Sequence, residues 1–449
     1  MLKGDRMKIA VAGTGYVGLV TGVALAEIGH NVTCVDVDEN KIEMMQKGIS
    51  PIYEKDLEDL MNKNKDKLSY TTNYSDAYKD AEVIFIGVGT PEREDGSANL
   101  DYVFSVCSQI AKSITKDTVV VVKSTVPIGT NDDVEKYLRS NVKNNVNIYV
   151  ASNPEFLAQG TAVRDTLYAS RIVVGTEDEY AKKVMQNLYK PFTEEPYNVP
   201  YLSMNRRSAE MVKYASNDFL ALKISYINEI SNFCEMVGAD INDVTLGMSK
   251  DKRIGDKFLN SGIGYGGSCF PKDTKALHWL SKNVDSEIKT IKACIDVNRE
   301  QKIKLFKKLK DDLKVLTNKN IAVLGCSFKP GTDDLREAPS IDNVNLLLNY
   351  GANVKVYDPL MLSLNSFKKI FGDRINYYNN INECIENCDA VMIMTEHYEI
   401  KAYDISNYIN YMHIPVIYDG RNCYSIAEIE KYNVKYISMG RKSVNNLGK

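Results

Sequence analysis

Apolar positions along the chain alternate between two rhythms. Short apolar runs bounded by glycine or polar turns predict strands at Met7–Ala12 (MKIAVA), Asn31–Val37, Ala81–Val88, Thr118–Lys123 and Ile148–Ala151. Helical stretches separate them, the first opening in Gly13-Thr14-Gly15-Tyr16-Val17-Gly18 and ending near Gly29. Strand and helix in alternation predict a parallel sheet. From Asn205 to Val237 the pattern becomes one helical run without Gly or Pro, about 50 Å long at roughly 1.5 Å per residue. A helix of that length joins domains or subunits. A glycine-rich stretch, Gly262 to Gly267, then leads into Ser268-Cys269-Phe270-Pro271-Lys272-Asp273, and a further helical segment runs to about Val315.

The last third repeats the opening theme. Gly29-His30-Asn31-Val32 leads seven residues on to Asp36, and Gly351-Ala352-Asn353-Val354 leads seven residues on to Asp358. The second strand-loop-helix unit begins at Ile321-Ala322-Val323-Leu324-Gly325 without a GxGxxG, its loop running from Ser327 to Arg336. The expected fold is α/β, two Rossmann-like domains joined by a long central helix. The expected boundaries are residues 1–204, 205–315 and 316–449. Met1 to Arg6 reads as a short extension before the first strand.

Composition narrows the class. A chain of 449 residues exceeds one ordinary core, at roughly 150 residues per domain. With 44% hydrophobic and 26% charged residues it has a globular balance, and a net charge of -3 gives no general attraction to nucleic acid or anionic membrane. No leader pattern opens the chain and no apolar run approaches the ~20 residues that span a bilayer, so a cytoplasmic protein without a membrane partner is expected. The nine cysteines contain no CxxC pair, the nearest approach being Cys384 and Cys388, which disfavours a disulfide framework. His30, His278, His397 and His413 lie far apart, and no metal site is expected.

The candidate chemistry begins with Gly13, Gly15 and Gly18, which allow a tight turn and close approach of a pyrophosphate to a helix N-terminus. Asp36, 18 residues beyond Gly18, suits a ribose 2'-hydroxyl and repels a 2'-phosphate, favouring NAD over NADP. Lys213 and Asn217 stand four apart on the long helix, where a cation beside an amide suits an alkoxide or oxyanion. Cys269 follows close-approach glycines and precedes Lys272 and Asp273; a nearby cation favours a thiolate nucleophile. Glu155, in Asn153-Pro154-Glu155-Phe156-Leu157, follows a strand end and suits a general base, and Thr125, in Lys123-Ser124-Thr125-Val126-Pro127, ends another strand. Each alone also reads as ordinary structure: a solvated lysine, a buried thiol, a capped loop.

Taken in register, Gly13–Gly18, Lys123–Pro127, Asn153–Leu157, Lys213–Asn217, Phe258–Asp273, Phe328–Arg336 and Asp419-Gly420-Arg421-Asn422 resemble the UDP-glucose 6-dehydrogenase family, within the wider nucleotide-sugar dehydrogenases. The resemblance covers nearly the whole chain. It implies an NAD domain, a central helical dimerisation segment and a C-terminal UDP-binding domain, with the active site in the cleft between the outer two. It implies cofactor contacts at Gly13, Thr14, Gly15, Tyr16, Val17 and Gly18, at Asp36, Lys41, Thr90, Thr125 and Glu155, and at Lys272 and Arg336. Substrate contacts are implied at Asn153, Pro154, Glu155, Phe156 and Leu157, at Lys213 and Asn217, at Phe258, Leu259, Asn260, Ser261 and Gly262, and at Gly266, Lys329 and Arg421. Arg253 resembles an arginine that reaches the nucleotide sugar of a neighbouring subunit.

The implied reaction is a four-electron oxidation of UDP-glucose to UDP-glucuronate. Cys269 is its nucleophile, through a thiohemiacetal and a thioester; Asp273, Lys213, Asn217, Glu155 and Thr125 support it. The alternatives are the same chemistry on GDP-mannose, UDP-galactose or a UDP-N-acetylhexosamine, a two-electron hydroxy-acid dehydrogenase, and a catalytically silent binding module. The hydroxy-acid enzyme needs neither Cys269 nor a second nucleotide domain.

Overall fold

The computed structural model describes residues 6–143 and 145–448. Met1 to Asp5 of the short N-terminal extension lie outside the described residues. The chain forms two compact units that meet in sequence at Ser216 and Asn217. That point falls within a single helix, Arg206–Val237.

The first unit carries eight strands: β1 Lys8–Ala12, β2 Asn31–Val35, β3 Leu68–Thr71, β4 Val83–Ile86, β5 Thr118–Val122, β6 Ile148–Ser152, β7 Ile172–Gly175 and β8 Tyr201–Met204. They lie in the order β3-β2-β1-β4-β5-β6-β7-β8, all parallel except where β7 runs antiparallel to β6. The central strands are buried on both faces, which is why they read as continuous apolar runs rather than alternating ones. Two apolar clusters form the core, one on each face of the sheet. Strand order reverses between β1 and β4, and an open α/β sheet binds ligands beyond the carboxyl ends of its strands at such a reversal.

The second unit repeats the plan with β9 Asn320–Leu324, β10 Asn353–Tyr357, β11 Asn376–Tyr378, β12 Ala390–Ile393, β13 Val416–Asp419, β14 Lys435–Ile437 and β15 Val444–Asn445. Their order is β11-β10-β9-β12-β13-β14-β15, parallel but for the last pair. Its helical part, which includes the rest of the long helix, also holds Phe270–Asn283, Lys289–Lys302 and Lys304–Leu313. The fold class expected from the sequence is the one observed: two Rossmann-like sheets and a long helix through the chain's middle.

Several details differ. The second strand stops at Val35 rather than Val37, because the Asp36 side chain accepts the backbone N–H of Asp38 and turns the chain. The run Ala81–Val88 yields a strand only over Val83–Ile86, since Ala81 closes the preceding turn and Gly87, after a last backbone bond to Ala12, passes close to Gly18. The helical segment ending near Val315 is three helices, broken first at Asp285, which takes a left-handed φ of 52°. Strands β3, β7 and β8 escaped the pattern because each is only four residues long, and β3 and β8 are only partly apolar.

Candidate functional site

At the carboxyl edge of the first sheet, glycines let backbone meet backbone. A Cβ on Gly18 would lie 1.9 Å from the Gly13 carbonyl oxygen, and one on Gly87 would lie 2.9 Å from Gly18 Cα. Gly13 has φ +92°, and Gly15, at the N-cap of the helix Tyr16–Glu27, faces open space. The backbone N–H and the hydroxyl of Thr14 both donate to Asp36, at 2.8 and 2.6 Å, so the loop and the acid after β2 are one assembly. Burial pulls the Asp36 carboxyl upward, but the Thr14 and Asp38 hydrogen bonds and the Lys41 charge outweigh it and hold it below the usual range. Lys41 also completes a cap, its N–H donating to Asp38. Tyr16 bonds the Tyr53 carbonyl, and Val17 lies in the first helical turn. Thr90, beyond β4, donates its hydroxyl to the Thr125 carbonyl beyond β5 at 2.8 Å, tying two strand ends.

Beyond β6 lies a buried ionic cluster of the same unit. Lys213 Nζ donates to the Glu155 carboxylate and to the Glu155 carbonyl, each at 2.8 Å, with both side chains under a tenth exposed. Glu155 also accepts the Leu157 N–H at 2.9 Å, which curls the loop around its carboxylate. The Arg171 guanidinium stacks 3.8 Å over the Phe156 ring and bonds Ser216. Lys123, at the end of β5, donates to Asn153 Oδ1 at 3.0 Å and to its carbonyl at 3.3 Å. Burial, together with the Lys213 charge, pushes the Lys123 ammonium down to about 8 against the pull of Glu155.

These contacts show which partners the expected site residues hold within each unit. The amide of Asn153, an expected substrate contact, is held within the first unit. Its Oδ1 accepts from Lys123 and from Tyr189, and its Nδ2 donates to the Val173 carbonyl. Lys213 holds Glu155 in the first unit, and Asn217 Nδ2 donates to Asp273 at 2.6 Å within the second. Pro154 is buried beside Glu155, and Phe156 and Leu157 are half-buried.

In the second unit Cys269 is the N-cap of the 14-residue helix Phe270–Asn283, with Pro271 in its first turn. It is half-buried. Lys272 and Asp273 pair at 2.6 Å one turn on. Burial pushes all eight other thiols up: Cys34 and Cys107 to about 12, Cys388 to about 11, and Cys234, Cys294, Cys326, Cys384 and Cys423 likewise upward. No disulfide forms among the described residues.

The glycine-rich loop before Cys269 is fixed from several sides. Gly262 donates to Asn228 and accepts from Gln301, and a Cβ on it would lie 2.9 Å from the Gly420 carbonyl oxygen. A Cβ on Gly266 would lie 2.4 Å from the Glu337 carbonyl oxygen. Arg421 donates to the carbonyls of Met394, Gly264 and Phe328, joining this loop to the one after β9. Within that second loop Lys329 sits 5.6 Å from the Phe328 ring, and Arg336 forms a two-pronged pair with Asp334. Phe258 has a left-handed φ of 63°, Leu259 and Ser261 are buried, and Asn260 is exposed. Arg253 is exposed and pairs with Asp251.

Comparison with known proteins assigns these units. The UDP-glucose/GDP-mannose dehydrogenase family's NAD binding domain matches residues 7–193, its central domain 207–300 and its UDP binding domain 322–426. UDP-glucose 6-dehydrogenase YwqF of Bacillus subtilis is 49% identical over 440 residues, covering 98% of each chain. UDP-glucose 6-dehydrogenase TuaD of the same organism is 42% identical over 439 residues, covering 97% of this chain and 94% of that one. The chain belongs to the UDP-glucose/GDP-mannose dehydrogenase family. A UDP-glucose dehydrogenase structure from Pyrobaculum islandicum superposes with a TM-score of 0.91 at 33% identity, covering 98% of this chain and 99% of that chain. A UDP-D-ManNAc dehydrogenase from Pyrococcus horikoshii gives 0.85 at 26% identity, covering 97% and 99%.

As in other members of the UDP-glucose/GDP-mannose dehydrogenase family, the first unit is an NAD-binding domain, and the residues present fit that group. Gly15 opens onto space at a helix N-terminus, and Asp36 keeps an ionised carboxylate at the loop's edge. Among the described residues no group of three or more His, Cys, Asp or Glu could hold a metal, and no helix is long and apolar enough to cross a membrane. Reasoning from sequence missed Lys123, Tyr189 and Asp218. For Lys123 a signal was present: a lysine closing the buried run Val119–Val122 has no solvent to reach and must find a partner.

Proposed function

We propose that this dehydrogenase converts UDP-glucose to UDP-glucuronate in two successive oxidations, with Cys269 as covalent nucleophile. The observation that carries the mechanism is the contrast between Cys269, half-buried at a helix N-terminus, and eight thiols whose burial disfavours the thiolate. The positive end of a helix dipole stabilises a thiolate there. NAD, held at the Gly13–Gly18 loop and Asp36, would supply the hydride acceptor for each oxidation.

The chain's residues do the rest. A water ordered by Asp273 or Lys213 takes the alcohol proton, and Cys269 adds to the C6 aldehyde to give a thiohemiacetal. Loss of the second hydride leaves a thioester. Water activated near Glu155 and Thr125 cleaves it, returning the thiol, while Lys213 and Asn217 support the oxyanion. One alcohol and one water yield a carboxylate, two hydrides to two NAD and three protons. Asp36 sets the preference for NAD, Lys272 and Arg336 assist cofactor binding, and Phe258–Gly262, Gly266, Lys329 and Arg421 hold the nucleotide sugar.

The same reading keeps a three-part organisation, residues 1–204, 205–315 and 316–449, and a homodimer acting in the cytoplasm. Phe219, Tyr226 and Phe233, seven residues apart on the long helix and each at least 51% exposed, support a helical dimer face. An exposed Arg253 suits contact with a neighbouring subunit's substrate. The experiment is a count of NADH released per nucleotide sugar. Two from UDP-glucose, with slower turnover of UDP-galactose, GDP-mannose and UDP-N-acetylglucosamine, is expected; one per sugar, or preference for another sugar, overturns the reading.

A further inference from the structure

Asp218 follows Asn217 on the long helix and is 2% exposed. Neither of its carboxyl oxygens meets a hydrogen-bond donor among the described residues. A carboxylate stripped of water and given no donor is costly, so such a group keeps its proton. Asp273 is equally buried but oppositely furnished: one oxygen accepts from Asn217 and the other from Lys272, each at 2.6 Å. Two carboxyls close enough for their charges to interact therefore sit in opposite surroundings, Asp218 without a donor and Asp273 with two.

We propose that Asp218 is a positioning residue for Asp273, the proton-bearing half of a two-carboxyl pair whose neutrality leaves Asp273 the only anion beside Asn217 and Lys272. The proposal rests on the reading of Asp273 as the group that orders the water taking the alcohol proton. Asp218 is faced by Asp273 and Lys272 on the helix Phe270–Asn283, by Tyr265 in the glycine-rich loop, and by Cys294 on the helix Lys289–Lys302. Burial and the Asp273 charge push its carboxyl up to about 8, against the pull of Lys272. Burial pushes Tyr265 and Cys294 up as well, and Asp218 adds to both, so neither takes over the titration near neutral pH. Above about 8 a second negative charge arises beside Asp273 and competes for Lys272.

The test compares pH profiles of kcat and KM for wild type and Asp218→Asn, which is isosteric and permanently neutral. Wild-type kcat should fall about tenfold per pH unit beyond the ionisation, with KM little changed, and Asp218→Asn should carry full kcat past it. Thermal unfolding across pH reads the same proton without activity. The folded chain holds it between 3.8 and about 8 while the unfolded chain does not, so wild-type stability falls as pH rises through that window. The Tm advantage of Asp218→Asn should therefore grow up to about 8 and then level off. If Asp218→Asn does not fold, Asp218→Ser carries both comparisons. Superimposable kcat profiles from folded proteins overturn the proposal, as does a Tm difference that is flat with pH. If the wild type oxidises no nucleotide sugar, the functional reading falls separately, and the unfolding series still decides where the proton sits.

Discussion

Replacing Lys213 by methionine removes one half of a buried ion pair and leaves the other in place. Its ammonium lies 2.8 Å from the Glu155 carboxylate, with the two side chains 3% and 8% exposed. Truncating one partner of such a pair costs about 3–5 kcal/mol, because the survivor is a desolvated charge. Two features put this site at the lower end. Glu155 keeps the Leu157 N–H at 2.9 Å, and the Lys123 charge still acts on it. A loss of about 3 kcal/mol is expected. For a domain of this size, at about 2–4 °C per kcal/mol, the melting temperature should drop by about 6–12 °C. Lys213→Met with Glu155→Leu should recover most of that, since a buried pair exchanged for apolar groups is near neutral. Urea and thermal unfolding should be followed by far-UV circular dichroism. The only tryptophan, Trp279, belongs to the second unit, so its fluorescence should report little of the change. A single variant within about 0.5 kcal/mol of wild type, or a double variant no better than the sum of the singles, refutes the reasoning.

Cys269→Ala should fold and bind NAD yet lose the release of two NADH per UDP-glucose, whereas alanine at Cys294 or Cys326 should leave the reaction type unchanged; near wild-type turnover by folded Cys269→Ala would sink the covalent mechanism. Asp36→Ser removes the carboxylate that Thr14 fixes at the loop's edge, and the kcat/KM ratio of NAD over NADP should narrow by about ten- to a hundredfold, as for a charged hydrogen bond. An unchanged ratio counts against Asp36 as the selector. Lys123 is depressed to about 8 from 10.5, so between those values the unfolded chain holds a proton that the folded one has released, and stability rises with pH. Lys123→Met should abolish that rise in a Tm series, and a variant that retains it shows that another group is titrating.

The dinucleotide loop was legible because its physics is local. Three glycines, a helix start and an acid after the second strand are consecutive facts about one chain segment, and the structure joins them through Thr14. Cys269 stood out for the same reason, its glycines and Lys272 being neighbours in sequence. Partnerships were not legible. Lys213 and Glu155 lie 58 residues apart, and Asn217 and Asp273 lie 56 apart. Spacing along the long helix put Lys213 and Asn217 together as candidates, but it could not name Glu155 and Asp273 as the groups they hold.

Apolar periodicity, glycine placement and turn residues determined by themselves that this chain forms two parallel sheets and a long helix, because hydrophobic burial and backbone sterics act over a few residues and leave a repeating mark. Only the tertiary structure decided which polar groups are held and which are left over. Asn153, lettered as a candidate ligand, is held by Lys123, Tyr189 and Val173, while Asp218, adjacent to a candidate and unremarkable as a letter, is buried without a donor among the described residues. Protonation and hydrogen-bond satisfaction depend on what lies within a few ångströms in space, and residues far apart in the chain supply it.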